Sequence, residues 1–410
     1  MAGPVRQPID TKNLDKYIRE HVPEIATPLD VKQFGFGQSN PTYLLTSHPR
    51  PAESGSGQGK RYVLRKKPPG KLLSKTAHQV EREYRILHAL RDTDVPVPRV
   101  HVLCEDEAVI GTAFYIMEFL DGRVFTDPGM PGVSPGERNE MWRSAIHTLS
   151  TLHNIPYTSA SLNLSSFGKH SGFYNRQIRT FTSLARHQAL TRDAETGIPI
   201  GPLPHLDELS SFFANKSSSS SNSTTTKKDS KSKKYSQPKD KTTLVHGDFK
   251  IDNLIFHKTR PRVIGVLDWE MATLGHPLSD VVSLFAPFLP HTWGVDGAES
   301  SLNLGSPSLP PPTDNPEEQR QGLPTLDECI SLYAAGSGYD VRPDLAWGRA
   351  FAGFRGAVIM QGIAARYALR QASSASAREF GAMAWPTAEN VWGLVREMQG
   401  MEADARKGKL

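Results

Sequence analysis

The sequence predicts an α+β protein with two lobes, and three observations support this fold class. Its 410 residues exceed the length that one hydrophobic core usually serves, which indicates two cores. Short apolar runs bounded by Gly and Pro, typical of strands, prevail over about the first 120 residues. Apolar residues at helical spacing prevail afterwards. We therefore expect a small strand-rich lobe over residues 1–118, a larger helical lobe over residues 119–410, and a ligand site at their junction.

The small lobe is expected to combine strands with one main helix. A shorter amphipathic helix begins near Asn13 and stops at Pro23. Two strands joined by a Gly-rich turn follow over residues 31–47, and a stretch rich in Gly and Ser then predicts a loop. The remaining elements are a strand over residues 61–70, the main amphipathic helix over residues 78–90, and apolar strand residues within 108–122.

The large lobe is expected to be mainly helical. Apolar residues recur at helical spacing over residues 137–154, from about Tyr174 onward, and over residues 344–371, where the helix is apolar enough to be buried. Two stretches interrupt this pattern. Residues 216–241 form a low-complexity insertion that we expect to be disordered, and residues 297–324, rich in Pro and polar side chains, are expected to form a loose loop.

The positive charge of the chain belongs to the low-complexity insertion. The whole chain carries a net charge of +5, but residues 216–241 hold eight Lys and two Asp, so the rest of the chain sums to −1. A nucleic-acid-binding fold is expected to spread basic residues over one face. We therefore expect no nucleic-acid partner, although the insertion can also be interpreted as a nuclear-localisation patch.

The composition also bears on the compartment. A hydrophobic fraction of 38% and a charged fraction of 22% are typical of a globular protein in water, and no apolar run reaches the length of a transmembrane helix. The N-terminus lacks the apolar core of a secretory signal, and the two cysteines favour reduced thiols. We expect a cytoplasmic protein without a membrane partner. The last three residues, Gly-Lys-Leu, loosely resemble a peroxisomal address, which leaves that compartment open.

Residues 244–270 carry the side chains that point to chemistry. They contain Asp248, an amide five residues later at Asn253, and a second carboxylate, Asp268, after a hydrophobic strand. Phosphoryl transfer needs a carboxylate that orients the attacking hydroxyl and accepts its proton, and it needs oxygen ligands for Mg²⁺. The spacing matches the protein-kinase pattern, which predicts Asp248 as catalytic base and Asn253 and Asp268 as metal ligands. Each residue alone could instead cap a turn or end a strand, and Asp252 is interpreted as a loop carboxylate.

The turn between the first two long strands has the sequence Gly-Phe-Gly-Gln-Ser-Asn. Such a turn lets backbone N–H groups approach phosphates. A nucleotide contact is therefore predicted for Gly35, Gly37, Gln38, Ser39 and Asn40. Asn40 stands where kinases usually have a third Gly, and the two glycines by themselves are also compatible with a simple hairpin.

A candidate phosphate-binding cation lies on the next strand. Arg65 occupies the place of the phosphate-binding Lys of protein kinases, and Arg can bind phosphate through two parallel hydrogen bonds. Lys66 points to the opposite face of a regular strand, so a shift of register by one residue would exchange the two. On the following helix, Glu83 is the candidate partner of this cation, because Glu81 lies ~200° away around the helix.

The segment after the last small-lobe strand is expected to connect the lobes. By its position, the backbone between Glu118 and Leu120 is predicted to hydrogen-bond the adenine of a nucleotide. Contacts to the acceptor must come from the helical lobe, and no spacing rule identifies them. His276, Arg355 and Gln361 are candidates for such contacts, or for packing and surface positions.

These motifs together resemble the aminoglycoside phosphotransferase-like family, which includes choline kinase-like proteins. Within it, the likeness is greatest to the kinase-like domain of acyl-CoA dehydrogenase fusion proteins. The stretches that carry the resemblance include FGFGQSNPTYLL, YVLRKKPPGKLL, LVHGDFKIDNLIF and VLDWEMATLGHPLSD, and the likeness extends over roughly residues 10–375.

The resemblance implies a bilobal protein-kinase-like fold, with a small antiparallel β-sheet lobe and a larger helical lobe. It implies ATP-dependent phosphorylation of a hydroxyl on a small molecule with Mg²⁺, and a role for Asp280 in steadying the catalytic loop. The fused relatives suggest a hydroxyacyl acceptor. The alternative is a nucleotide-binding pseudokinase or scaffold without phosphotransfer. The acceptor's identity and the oligomeric state stay open.

Overall fold

The computed structural model describes residues 2–35, 40–48, 59–68, 79–214, 235–289, 322–372 and 376–400. It confirms the predicted α+β architecture, with one antiparallel sheet in the N-terminal part and mainly helices thereafter. Among the helices in these ranges, none combines the length and the apolar character needed to span a bilayer.

In the described part of the small lobe there are one six-stranded sheet and three helices. The strands are β1 (Ala2–Gly3), β2 (Leu29–Phe34), β3 (Thr42–Ser47), β4 (Arg61–Lys66), β5 (Val100–Cys104) and β6 (Phe114–Glu118), and the helices are α1 (Thr11–His21), α2 (Val80–Leu90) and α3 (Glu107–Ile110). The strand order is β1-β2-β3-β4-β6-β5, and every neighbouring pair is antiparallel.

The alternation of side chains along β4 divides the small lobe into two faces. Tyr62 and Leu64 belong to a core with α1, whereas Val63 belongs to the core that contains α2 and extends into the helical lobe. Because successive side chains of a strand point to opposite faces, Arg65 lies on the side of α2 and Lys66 on the side of α1. The sheet therefore directs one of these two neighbouring cations toward the junction of the lobes.

The large lobe is helical, as predicted. Its helices are α4 (Pro135–His153), α5 (Phe173–Ala189), α6 (Leu206–Ala214), α7 (Leu278–Phe285), α8 (Leu326–Ser337), α9 (Arg342–Ala368), α10 (Ala377–Ala382) and α11 (Ala384–Gln399). The 27-residue helix α9 packs against α5, α7, α10 and α11. A helix that has neighbours on most sides needs apolar or small residues all round, which explains the Gly- and Ala-rich sequence of α9.

Two pairs of short strands frame residues 244–270, which contain Asp248, Asn253 and Asp268. β7 (Thr243–Val245) pairs with β10 (Thr273–Gly275), and β8 (Leu254–Phe256) pairs with β9 (Val263–Val266). The turn between β7 and β8 holds Asp248 and Asn253, and the turn between β9 and β10 holds Asp268. Both turns therefore lie at one end of this small framework.

Two local expectations differ from the structure. Residues 107–110 form the one-turn helix α3 rather than strand, because the Asp106 side chain accepts a hydrogen bond from the Ala108 N–H and so caps the turn. The end of the Lys-rich insertion makes specific contacts: Gln237 is buried and donates to Asn175 on α5, whereas residues 239–241 are exposed. A short apolar run does not distinguish strand from helix, and composition does not reveal such single contacts.

Several predictions fall on residues that lie outside the described ranges. These are the nucleotide contacts of Gly37, Gln38 and Ser39, and the loose character of residues 216–234 and 297–321.

Candidate active site

The turn after β7 holds Asp248 and Asn253 side by side. The Asn253 Nδ2 group donates to the Asp248 backbone oxygen at 2.8 Å and to Asp248 Oδ2 at 3.0 Å. These two bonds fix the amide so that its oxygen, Oδ1, faces away from Asp248. The Asp248 side chain is 38% exposed, which leaves the carboxylate accessible to a substrate hydroxyl.

Gly247 gives this turn its shape. Its φ of +86° lies in the left-handed region that favours glycine. A Cβ at this position would lie 2.7 Å from the Met271 backbone oxygen, in the neighbouring turn. The close approach of the two turns therefore needs glycine here.

The neighbouring imidazole ties the two turns together. His246 is buried, its Nδ1 accepts the Asp248 N–H at 3.2 Å, and its Nε2 lies 2.9 Å from the Leu267 backbone oxygen. Because a backbone N–H only donates and a carbonyl only accepts, the ring carries its proton on Nε2. His246 thus connects Asp248 with the residue that precedes Asp268.

Asp280 on α7 holds the same turn through hydrogen bonds to its backbone. This fully buried carboxylate accepts the His246 N–H at 2.7 Å and the Gly247 N–H at 2.8 Å. His153 on α4 lies 3.2 Å from it. Burial alone would raise the pKa of Asp280, but the hydrogen bond from His153 and the neighbouring donors lower it below the usual value. The structure confirms the expectation that Asp280 steadies the loop.

The backbone of the residue with the second carboxylate, Asp268, follows a segment that pairs with Asn253 and its neighbour. Leu254 pairs with Val266, and the Leu267 N–H donates to the Asn253 backbone oxygen at 2.9 Å, so Asp268 follows directly beside Asn253. Asp268 adopts a φ of +65° at the start of a short 3₁₀ turn. This conformation is uncommon outside glycine but is tolerated by Asp.

The donor set formed by Asn253 and Asp268 fits Mg²⁺. One amide oxygen and one carboxylate are the kind of ligands that this ion takes, with phosphates and water completing its shell. No group of three or more His, Cys, Asp or Glu side chains suited to a metal occurs in the part of the chain that the structure describes. The residues therefore fit a magnesium bound jointly with a phosphate-bearing ligand better than an all-protein cage.

Arg65 connects the small lobe to this site. Its Nε lies 3.3 Å from Glu83 Oε2, and its Nη2 lies 3.3 Å from Asp268 Oδ1. Burial alone would lower the pKa of Arg65, but Glu83 and Asp268 raise it above its usual value. The guanidinium therefore remains charged at the lobe junction.

Glu83 is held from several sides. Its carboxylate accepts hydrogen bonds from Asn40 Nδ2 at 2.7 Å and from the Tyr115 hydroxyl at 3.0 Å. Burial raises its pKa, and the charge of Arg65 opposes this effect. Asn40, predicted to contact a nucleotide, here orients Glu83. Gly35 is exposed.

The two alternatives that the sequence left open have other partners. Lys66 lies on the α1 side of the sheet with its Nζ 6.0 Å from the centre of the Tyr43 ring, and burial lowers its pKa. Glu81 pairs with Lys67. The structure thus brings Arg65 and Glu83 together at the junction, and neither Lys66 nor Glu81.

The predicted adenine contacts lie at the end of β6. The Glu118 N–H donates to the Arg99 backbone oxygen at 2.8 Å, and the Glu118 side chain accepts the Arg99 N–H at 3.3 Å. Leu120 packs closely over Gly265 of β9. Because the Glu118 N–H is taken within the sheet, an adenine contact through N–H groups would fall to the residues after it.

Sequence reasoning missed Lys250. Its Nζ lies 3.4 Å from Asp248 Oδ2 and 3.3 Å from Asp252 Oδ2. Burial would lower the pKa of Lys250, but the two carboxylates raise it. Asp252, interpreted as a loop carboxylate, is thus a partner of this lysine, and burial raises its pKa. A lysine between two acidic residues of the motif was the available signal.

His276, Arg355 and Gln361, the candidates for contacts to the acceptor, have different partners in the structure. Arg355 Nη2 donates to the Gly247 backbone oxygen at 3.2 Å. Gln361 is buried and donates to the Gly201 backbone oxygen, and the buried His276 bonds the Lys239 backbone oxygen. Only Arg355 of these three contacts the turn that holds Asp248.

Comparisons with known proteins agree with the geometry. The family model for APH, the phosphotransferase enzyme family, matches residues 30–303. The chain is 35% identical over 387 residues to acyl-CoA dehydrogenase family member 11 of Pongo abelii, covering 93% of this chain and 42% of that protein. It is 35% identical over 381 residues to family member 10 of Mus musculus, covering 92% and 30%. The chain thus spans less than half the length of these relatives.

Solved structures show the same fold. A protein of Ralstonia eutropha, whose assignment as an aminoglycoside phosphotransferase is itself an inference, is 34% identical with a TM-score of 0.70, covering 95% of this chain and 99% of that one. Choline kinase from Cryptosporidium parvum is 14% identical with a TM-score of 0.51, covering 97% of both chains, and supports the fold alone. The predicted resemblance and the protein-kinase-like fold are confirmed.

Proposed function

Because the chain belongs to the APH family of phosphotransferase enzymes, we propose that it is an ATP-dependent kinase that phosphorylates a hydroxyl of a small molecule. The observation that carries this proposal is the convergence of Asp248, Asn253 and Asp268 on two adjacent turns, with Arg65 reaching Asp268 from the other lobe. Two acidic groups, an amide and a cation at one junction are the parts that phosphoryl transfer requires.

Asp248 is assigned as the catalytic base. The Asn253 amide holds Oδ2, so the carboxylate has one orientation in which to receive the acceptor. The acceptor hydroxyl loses its proton to Asp248, its oxygen forms a bond to the γ-phosphorus of ATP, and the bond from that phosphorus to the leaving oxygen of ADP breaks. General-base assistance of this kind contributes about 10²–10⁴-fold in rate.

Asn253 and Asp268 are assigned to hold Mg²⁺. The ion, when bound, neutralises charge on the phosphates. The orientation of the Asn253 amide supports the assignment, since its Nδ2 is used by Asp248 and its oxygen is left for a ligand. Asp268 is held by the Arg65 guanidinium through Oδ1.

Arg65 is assigned to the nucleotide phosphates, with Glu83 as its positioning partner. A guanidinium fork can keep Glu83 while turning its other nitrogens to phosphate oxygens. The turn from Gly35 to Asn40 is proposed to cover the phosphates, and the backbone near Leu120 is proposed to contact the adenine.

The acceptor is proposed to be a hydroxyacyl compound. This finer proposal rests on the names of the relatives, which are acyl-CoA dehydrogenase family members. A chain that is fused to such an enzyme in other proteins is expected to act on a related acyl substrate.

Incubation of the purified protein with ATP, Mg²⁺ and a cell extract tests the proposal. Mass spectrometry should detect a new phosphate-bearing metabolite, and Asp248→Asn should reduce its formation at least about a hundredfold while ATP still binds. Asp327→Asn, at an exposed carboxylate, is the matched control and should keep full activity. Binding of ATP without any phosphorylated product would contradict the proposal and favour the scaffold alternative.

A further inference from the structure

A cavity of about 80 Å³ opens beside the catalytic turn. Val245 and Gly247, which precede Asp248, form one side of it, and Met271, in the turn that holds Asp268, also lines it. The other walls are provided by helices α5, α7 and α9. The cavity therefore lies on the helical-lobe side of Asp248, away from the sheet that carries Arg65.

The lining of this cavity is mainly apolar. Phe173, Tyr174, Phe181 and Phe351 contribute aromatic rings, and Leu278 and Val282 contribute aliphatic groups, while no Asp or Glu occurs among the lining side chains that the structure describes. The volume is several times the roughly 10–15 Å³ that one water needs. Such a space suits the hydrocarbon part of a ligand better than water or a polar group.

Arg355 is the single charged side chain among those lining residues. Its Nη2 donates to the Gly247 backbone oxygen at 3.2 Å, and none of the described carboxylates lies within ion-pair distance of it. A guanidinium has five N–H donors in a planar fork that matches a carboxylate or carbonyl oxygen. A partly buried cation beside the catalytic turn that has no acidic partner among the described residues leaves donors for a ligand.

We propose that this cavity is the acceptor site and that Arg355 selects the acceptor; the inference rests on the proposed phosphotransfer function. The hydrocarbon body of the acceptor lies among the aromatic rings of α5 and α9. A carboxylate or carbonyl oxygen binds Arg355, and the hydroxyl faces Asp248 across Gly247. Cationic alcohols are expected to bind more weakly, because an ammonium group at this end of the space would face a guanidinium, and no Asp or Glu occurs among the described lining residues.

The apolar lining and the charge of Arg355 allow the expected differences in ligand affinity to be estimated. Each methylene buried from water corresponds to about a fourfold gain in affinity, until the cavity is filled. A chain longer by two methylenes should therefore bind at least about tenfold more tightly. Replacement of the acidic end by an ammonium should weaken binding at least about tenfold, since a favourable charge interaction becomes a repulsive one.

Calorimetric titration of the full chain with Mg·ADP present, which prevents turnover, measures this selection. The probes are hydroxybutyrate and hydroxyhexanoate, with the amino alcohols and diols of matched chain length. The expected order is hydroxyhexanoate, then hydroxybutyrate, with the amino alcohols weakest. Equal affinity for acids and amino alcohols, or no dependence on chain length, would overturn the proposal.

Two substitutions of lining residues test whether the probes bind in the cavity. Ala352→Leu projects a larger side chain from α9 into the space and should weaken hydroxyhexanoate about tenfold but hydroxybutyrate much less. Arg355→Met should weaken both acids about tenfold and leave the diols within about twofold, whereas Arg355→Lys should retain most of the preference for acids. Arg366→Met, at an exposed position of the same helix, is the control. Unchanged acid affinity in both Ala352→Leu and Arg355→Met would refute the assignment.

Phosphate transfer to the same probes is measured separately with ATP. Selective binding without phosphorylation of any probe or extract component would contradict the proposed function and leave the cavity assignment intact. Phosphorylation whose KM for the acceptor is unchanged in Ala352→Leu and Arg355→Met would support the proposed function and overturn the cavity assignment. The two failures are therefore distinguishable.

Discussion

Replacement of Asp280 by Asn is expected to release the turn that holds Asp248. Each oxygen of this carboxylate accepts one backbone N–H, from His246 at 2.7 Å and from Gly247 at 2.8 Å, and His153 donates to it as well. Asn offers one acceptor oxygen and one NH₂ group. If the oxygen keeps the contacts of Oδ2, the NH₂ faces the Gly247 N–H, and two donors then oppose each other in a site with no exposure to water.

The free energy of unfolding should fall by about 3–5 kcal/mol. A hydrogen bond to a charged acceptor contributes about 1.5–3 kcal/mol, and a buried N–H without an acceptor costs about 1–3 kcal/mol. Loss of one member of a buried charged network costs a similar total. Because Asp280 holds Gly247, which precedes Asp248 and lines the cavity proposed for the acceptor, turnover should also decrease at temperatures where the variant remains folded.

The pH dependence of the free energy of unfolding provides a second test of the role of Asp280, and its direction follows from the pKa shift. Burial would raise the pKa of Asp280, but His153 and the other donors lower it below its unfolded value of 3.8. The ionised carboxylate therefore stabilises the fold above that unfolded value, and this contribution is lost as the pH falls through the lower folded value. Asp280→Asn should lack this part of the acid destabilisation.

Urea denaturation followed by circular dichroism measures the stability of the wild type, of Asp280→Asn and of the exposed control Asp327→Asn. The control should lose no more than about 1 kcal/mol, since Asp327 is exposed and its ion pair with Arg342 contributes little. A loss below about 1 kcal/mol in Asp280→Asn, together with normal turnover, would refute the role assigned to this carboxylate.

Three further predictions follow from particular contacts. Arg65→Lys, which keeps the charge but loses the fork that joins two carboxylates, should weaken ATP binding at least about tenfold by calorimetry, and Arg61→Lys on the same strand should not. Deletion of residues 216–234 should leave the melting temperature within about 2 °C, whereas deletion of residues 216–241 should lower it by about 4 °C or more, because the second deletion removes packed residues. Burial lowers the pKa of His276 to about 4. The neutral ring therefore stabilises the fold fully above its unfolded pKa of 6.5, and about 3 kcal/mol of the free energy of unfolding is lost as the pH falls from 6.5 toward 4. An NMR titration that gives the ring a pKa near 6.5 in the folded protein would contradict this prediction.

Much of the candidate site was open to prediction because its parts are local. The interval between Asp248 and Asn253 lies within one turn, and the alternation of a strand separates Arg65 from Lys66 without knowledge of the rest of the fold. Helical geometry distinguishes Glu83 from Glu81 in the same way. In each case the decisive distance is only a few residues along the chain, so the sequence pattern and the structure agree on where these side chains point.

Other features escaped sequence reasoning because they join distant segments. Asn40 orients Glu83, Arg65 reaches Asp268, and Arg355 contacts Gly247, across separations of 43, 203 and 108 residues. No spacing rule predicts such pairs, since they depend on how whole elements pack. Lys250 is different: it was adjacent to the motif, but its place between two carboxylates became visible only with the turn folded.

The amino-acid sequence by itself determined the α+β class, the family, and the order of the polar residues along the catalytic turns. The class and the order of these residues follow from periodicity and spacing, which act over a few residues, whereas the family follows from the likeness of whole sequence stretches to known proteins. The tertiary structure alone decided that three helices help to line a mainly apolar cavity next to the turn that holds Asp248, and that the charged residue in the described lining is Arg355. A cavity arises from the packing of surfaces that are far apart in the chain, and its charge depends on which side chains those surfaces bring together.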